Sequence, residues 1–251
     1  MAENWKSYIC NVNDKLASIA LDLALCPEVP IPGKTWLLWV WVYMKSPRPD
    51  GLSDRSEVEV LAAIEDELAK EIGRACEALE AGRITTQGHR EFYFYGKSSD
   101  GFKGAVKSVM RRFKSYKFDL GSQTDPDWNQ YLSVLYPSEE DMSRIANHDV
   151  LDNMMELGDT LQAVRDVHHW IYFRSPEDRK RFASEARNLG YQIEREMEGD
   201  REGYPFGLII TRDQSVTPDK IDEAVIELFR LAKEVGAEYD GWEAQAISTK
   251  N

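Results

Sequence analysis

Four histidines, three cysteines and a few acidic pairs are the residues of this 251-residue chain on which chemistry could rest. His168 and His169 are adjacent in Val167–Phe173, an aromatic and β-branched run that reads as a strand. Neighbours on a strand point to opposite faces, so the two imidazoles cannot chelate one metal ion without a bulge. His169 falls with Val167, Ile171 and Phe173 and reads as a hydrogen-bonded core histidine. His168 falls with Trp170 and Tyr172, and this row is either a recognition surface or a face covered by the rest of the chain. Cys10, Cys26 and Cys76 are an odd set without paired or metal-ligand spacing, which reads as free thiols in a reducing cytoplasm. Glu139-Glu140 and Asp222-Glu223 lie on expected helix surfaces and read as solvated. The sequence shows no Gly-x-Ser-x-Gly, Gly-rich phosphate loop, His-Glu-x-x-His or Cys-x-x-Cys. The expectation is a protein-binding chain with no catalytic residue, no metal and no cofactor.

The elements that would position these residues follow from apolar periodicity and its punctuation. Strands are expected over residues 4–9, 16–25 and 36–43, the last apolar on both faces and in need of cover on both. A long helix is expected over 53–79 with Gly82 as its stop, then strands over 83–86 and 90–95. A helix over 101–114 would present Lys103, Lys107, Arg111 and Lys114 as a basic stripe, within a segment holding seven bases and one acid from Lys97 to Lys117. That stripe is a docking site for phosphate or acid, or a solvated face. The turn-rich stretch Gly121–Asp127 marks a boundary between domains 1–125 and 126–251, and 128–136 reads as a strand of either domain. Beyond it, Ser138 and Asp141 open a helix ended by Gly158, and the order that follows is βαββαβ. The pattern predicts an α+β chain whose second domain is a ferredoxin-like antiparallel sheet with helices on one face, the first being a mixed α+β domain.

Charge narrows the partners. Residues 1–125 carry 18 acids and 17 bases, whereas residues 126–251 carry 26 and 14, so the net charge of −13 sits almost wholly in the second half. A field of that sign repels phosphate backbones and attracts basic proteins. Direct nucleic-acid binding is not expected. The longest apolar run, Trp36–Met44, is about half the length of a spanning helix, and the first residues lack the pattern of a secretory leader. A cytoplasmic protein away from membranes is the expectation.

Glu238-Tyr239-Asp240-Gly241-Trp242-Glu243, with Val167–Phe173 and Ala186–Tyr191, resembles the RraB family, regulators that inhibit ribonuclease E. The resemblance spans about residues 138–247 and implies a ferredoxin-like, acidic, non-enzymatic domain that contacts a basic region of a nuclease. The first half, through Leu37–Val42, Ile64-Glu65-Asp66, Gly82–Thr85 and Arg90–Tyr95, resembles the domain of unknown function that often precedes it. In a ferredoxin-like sheet the first and fourth strands are neighbours, which places His168 or His169 near Tyr239 or Trp242. The partner-binding candidates are His168, Trp170, Tyr172, Tyr239, Asp240, Trp242 and Glu243. Two other readings compete: a small hydrolase-like enzyme with a site between the domains using His168, His169 and Glu243, and a homo-oligomeric structural module.

Overall fold

The computed structural model describes residues 3–199 and 201–248. The chain forms two compact units, Met1–Asp141 and Met142–Asn251.

The first unit is built on a six-stranded sheet in the order β1-β2-β4-β5-β3-β6. β1 (Trp5–Val12) and β2 (Lys15–Asp22) are a hairpin turning at Asn13 and Asp14, both at positive φ. β3 (Trp36–Tyr43) lies between β5 (His89–Gly96) and the edge strand β6 (Lys117–Thr124). α1 (Arg55–Cys76) starts at Asp54, whose carboxylate accepts from the Ser56 N–H, and stops at Glu77 in the left-handed region. Its Leu61, Ile64, Leu68 and Ile72, with Val106 and Val109 of α2 (Phe102–Met110), close over Leu38, Val40, Phe92 and Phe94. The helices cover one face of β3, whereas on the other Leu37 is buried, Trp39 and Trp41 are half-buried and Tyr43 is exposed, so the cover expected on both faces is complete on one only.

Three expectations need correction here. α1 ends well before Gly82, because Leu79 already belongs to β4 (Leu79–Thr86), where Gly82 sits in a bulge and a Cβ would meet the Ala20 carbonyl at 2.6 Å. The helix expected to reach 114 ends at Met110, so Lys103 and Lys107 lie on α2 while Arg111 and Lys114 follow it; all four are exposed. The stretch 128–136 is not a strand but a turn entering a short π-helix, Gln130–Leu135. Trp128, at φ +56, is fully buried and stacks on Tyr95 with ring centroids 3.8 Å apart. Tyr95 donates to Asp125 (2.6 Å), and Asp125 accepts the N–H groups of Asn129 and Gln130. Tyr131 donates to the Asp22 carbonyl at 2.8 Å. The polar composition of 121–127 reads as a linker, but Gly121–Thr124 complete the edge strand β6, Asp125 is buried by this network, and the division into compact units falls after Asp141.

Beside β4 the first unit holds a charged cluster. Glu65 of α1 is bonded by Arg83 and has Arg90 at 3.7 Å. Glu80 lies within hydrogen-bonding reach of Glu65, and one of its carboxyl oxygens is sequestered without a donor. Burial, then the Glu65 charge and the shared hydrogen bond, push the Glu80 carboxyl up to about 9.

α3 (Glu139–Glu156) begins just before the division, and from Met142 on it joins α4 (Pro176–Asn188) and α5 (Pro218–Glu234) of the second unit in accompanying a four-stranded antiparallel sheet in the order β10-β7-β9-β8. The strands are β7 (Arg165–Phe173), β8 (Gln192–Glu198), β9 (Phe206–Gln214) and β10 (Glu238–Ala244). This is the ferredoxin-like order that the βαββαβ sequence requires. Ser175 caps α4 by accepting from the Asp178 N–H, with Pro176 at the first helical position. Phe182, Ala186, Leu228 and Ala232 press on Ile171, Phe173, Leu208 and Ile210. All three helices contribute to one face, and on the other His168, Trp170 and Tyr172 are half-buried.

Candidate functional site

Alternation along β7 divides its residues sharply. Val167, His169, Ile171 and Phe173 are buried, whereas His168, Trp170 and Tyr172 are half-buried on the open face. His169 is 0% exposed, and its Nδ1 is hydrogen-bonded to the Tyr239 hydroxyl at 2.8 Å. Burial, reinforced by the nearby Arg212 and His168, pushes the imidazole down to about 3, so it is neutral at physiological pH. Burial likewise holds the Tyr239 phenol well above its ordinary range. This pair belongs to the core.

β10 reaches both faces through one irregularity. Tyr239 pairs with Ile171, but Gly241 pairs with Trp170 and Trp242 with His169, so Asp240 is the extra residue of a bulge. Gly241 has φ +126, a conformation that a side chain would strain. Because of the bulge, Tyr239 and Trp242 both turn to the helix side, while Glu238, Asp240 and Glu243 belong to the open side. The Trp242 indole N–H donates to Asn147 Oδ1 (2.8 Å), and Asn147 Nδ2 donates to Asp222 (2.8 Å). The seven candidate residues are therefore split. His168, Trp170, Tyr172, Asp240 and Glu243 share the open face, and Tyr239 and Trp242 are anchored behind it.

The open face is acidic and aromatic. His168 Nδ1 donates to Glu194 at 2.6 Å, and Glu243 is the cross-strand neighbour of His168. The Tyr172 ring lies against Gly207, where a Cβ would come within 3.3 Å of it, and the Arg201 guanidinium is 4.2 Å from the ring centroid. Arg201 also bonds Glu238 and, at 3.0 Å, Asp240. Asp166 and Asp213 stand directly opposite on β7 and β9, and a hydrogen bond shared with Asp166 raises the Asp213 carboxyl above its ordinary range. Like charges facing across a ladder oppose folding. The face thus sets Asp166, Glu194, Asp213, Glu238, Asp240 and Glu243 against Arg195 and Arg201.

Sequence reasoning missed Asn147, Glu194, Arg201 and the Asp166–Asp213 pair. The last was accessible in principle from register, but Arg201 reaches the site from a loop and carried no periodic signal. His168 and His169 lie on opposite faces and do not converge, and Glu243 joins only His168. Among the described residues, no group of three or more His, Cys, Asp or Glu side chains could hold a metal ion, and no helix is long and apolar enough to cross a membrane.

Two family matches fall on either side of the same division. Residues 3–136, just over half of the chain, match a family of unknown function, DUF695. Residues 144–244 match the family "Regulator of ribonuclease activity B". A regulator of ribonuclease activity B from Haemophilus ducreyi is 27% identical over 96 residues, covering 38% of this chain and 67% of that protein. Among solved structures, an unknown protein from Galdieria sulphuraria aligns with 84% of this chain and 98% of its own at 10% identity and a TM-score of 0.22. A protein from Bacteroides thetaiotaomicron covers 84% and 92% at 12% identity and a TM-score of 0.18. The chain belongs to the DUF695 family through its first unit, and residues 144–244, in its second unit, are similar to the family of regulators of ribonuclease activity B.

Proposed function

We propose that the chain is a non-enzymatic regulator that binds a ribonuclease through the open face of its second sheet. The observation that carries this reading is the acidic excess around His168–Trp170–Tyr172, above all the opposed Asp166 and Asp213. Such a face lowers the stability of the isolated fold and is relieved when a cation is placed against it. Aromatic side chains between the acids supply apolar contact area that a purely solvated surface would not need. The matched family and the Haemophilus ducreyi relative, both named for regulation of ribonuclease activity, support a ribonuclease as the partner class, and the acidic face favours a basic segment of it as the part that docks.

The test is functional. The chain is used to capture protein from a bacterial lysate at low and high salt, and the RNA-cleaving activity of the captured fraction is measured. The reading expects a ribonuclease held at low salt, released at high salt, and slowed by added chain. The double variant Asp213→Lys, Glu243→Lys should lose both effects. A ribonuclease bound and slowed equally by this variant would remove the open face from the interaction.

A further inference from the structure

Behind the bulge of β10 the second unit has a cleft of about 320 Å³, lined by Ala146 and Val150 of α3, Val225 of α5, and Tyr239, Gly241 and Trp242 of β10. Its size is at the lower end of that of pockets that seat small ligands, enough for one bulky side chain. Its polar neighbours are already engaged: Trp242 Nε1 with Asn147, Asn147 Nδ2 with Asp222, and the Tyr239 hydroxyl with His169. Ser143, Asn147 and Asp240 complete the lining, and the apolar contact the cleft offers comes from Ala146, Val150, Val225 and the Trp242 ring, with Val150 37% exposed. Gly241 forms its edge with no atom near its Cβ position, so the cleft stays open at the bulge. On the other side of the same residues, Trp170, Tyr172, Asp240 and Glu243 border a second, shallower depression of the open face.

We propose that this cleft receives one large apolar side chain of the basic segment that docks on the open face, so that the segment straddles β10. The inference rests on the reading given above and adds the anchor that makes the contact selective. Charge complementarity fixes the kind of segment: Asp240 is shared by the cleft and the acidic face, so an anchor in the cleft places lysine or arginine neighbours against Asp240 and Glu243. A face that offered only carboxylates would accept any basic chain. An apolar anchor buried beside them distinguishes one segment from another.

The experiment uses the full chain, labelled with nitrogen-15, and three short arginine- and lysine-rich peptides identical but for a central Trp, Leu or Ala. The expected result is that the Trp and Leu peptides bind about tenfold more tightly than the Ala peptide and move the Trp242 indole N–H resonance. Ala146 is exposed on α3, so Ala146→Trp can fill the cleft without disturbing the core. This variant should abolish the tenfold preference and keep the affinity for the Ala peptide. If the three peptides bind alike in a salt-dependent way, the anchor is overturned and the acidic docking face stands. If the preference survives in Ala146→Trp, the apolar residue is seated elsewhere and the cleft assignment is wrong. If no peptide binds even at low salt, the docking face itself falls and the anchor with it.

Discussion

Replacing Glu80 by Gln should stabilise the first unit at neutral pH, by an amount that depends on pH in a defined direction. In the unfolded chain Glu80 ionises near 4.5, whereas in the fold burial and the Glu65 carboxylate push it up to about 9. Between these values the unfolded chain holds the carboxylate and the folded chain the acid, so folding takes up a proton and stability falls as pH rises from 4.5 towards 9. At pH 7 the proton uptake costs about 3 kcal/mol, from about 1.4 kcal/mol for each pH unit above 4.5. Glutamine keeps the shape, donates an N–H to Glu65 in place of the shared proton, and has nothing to titrate. Glu80→Gln should therefore match the parent near pH 4.5 and exceed it by about 3 kcal/mol at pH 7. Urea unfolding followed by tryptophan fluorescence measures this directly, since Trp5, Trp36, Trp39, Trp41 and Trp128 belong to the first unit and only Trp170 and Trp242 to the second. A difference that is constant from pH 5 to pH 8, or a variant weaker than the parent at pH 7, would refute the shared-proton account.

Three further outcomes are expected. Trp128→Ala should destabilise the first unit by about 3–5 kcal/mol, because it empties a fully buried site stacked on Tyr95; the measurement is the urea midpoint seen in fluorescence. His169 titrates near 6.5 when unfolded and near 3 in the fold, so the stability of the second unit should be level above pH 6.5 and fall as pH drops towards 3. His169→Gln should lose that slope in circular-dichroism melts taken across the same range. Gly241→Ala should cost about 1–3 kcal/mol through its positive φ and shift the Trp242 indole resonance, whereas Gly199→Ala, with open space at its Cβ, should leave that resonance in place.

How much was legible in the sequence differs between the two units for physical reasons. The second unit is punctuated by local signals: Ser175-Pro176 opening α4, Gly190 and Gly236 at positive φ after α4 and α5, and strict alternation along β7. Each of these acts within a few residues, so reading them in order yields the topology. The first unit depends on contacts distant in sequence. Asp125, Trp128 and Tyr131 look like parts of a polar linker and a strand, yet their partners are Tyr95, the Lys34 carbonyl and Asp22. No local rule encodes a tryptophan that folds back on a tyrosine of β5, and for that reason the division of the chain falls later than composition suggests.

The candidate site shows the same contrast at the scale of single residues. Alternation alone places His168, Trp170 and Tyr172 on one face and His169 on the other. It misplaces Trp242, because a strand continuing without irregularity from Tyr239 would turn Trp242 outward beside Asp240. The bulge at Asp240-Gly241 inserts one residue and returns Trp242 to the helix side, where Asn147 holds its indole. The glycine at 241 is thus the hinge of the register. Without it one apolar and one acidic set could not be presented on the two sides of a single edge strand. The bulge also interrupts the regular row of backbone groups on that edge, which makes simple strand addition a poor way to engage β10. Recognition at this edge has to run through side chains, and the side chains there are carboxylates in front and an apolar cleft behind.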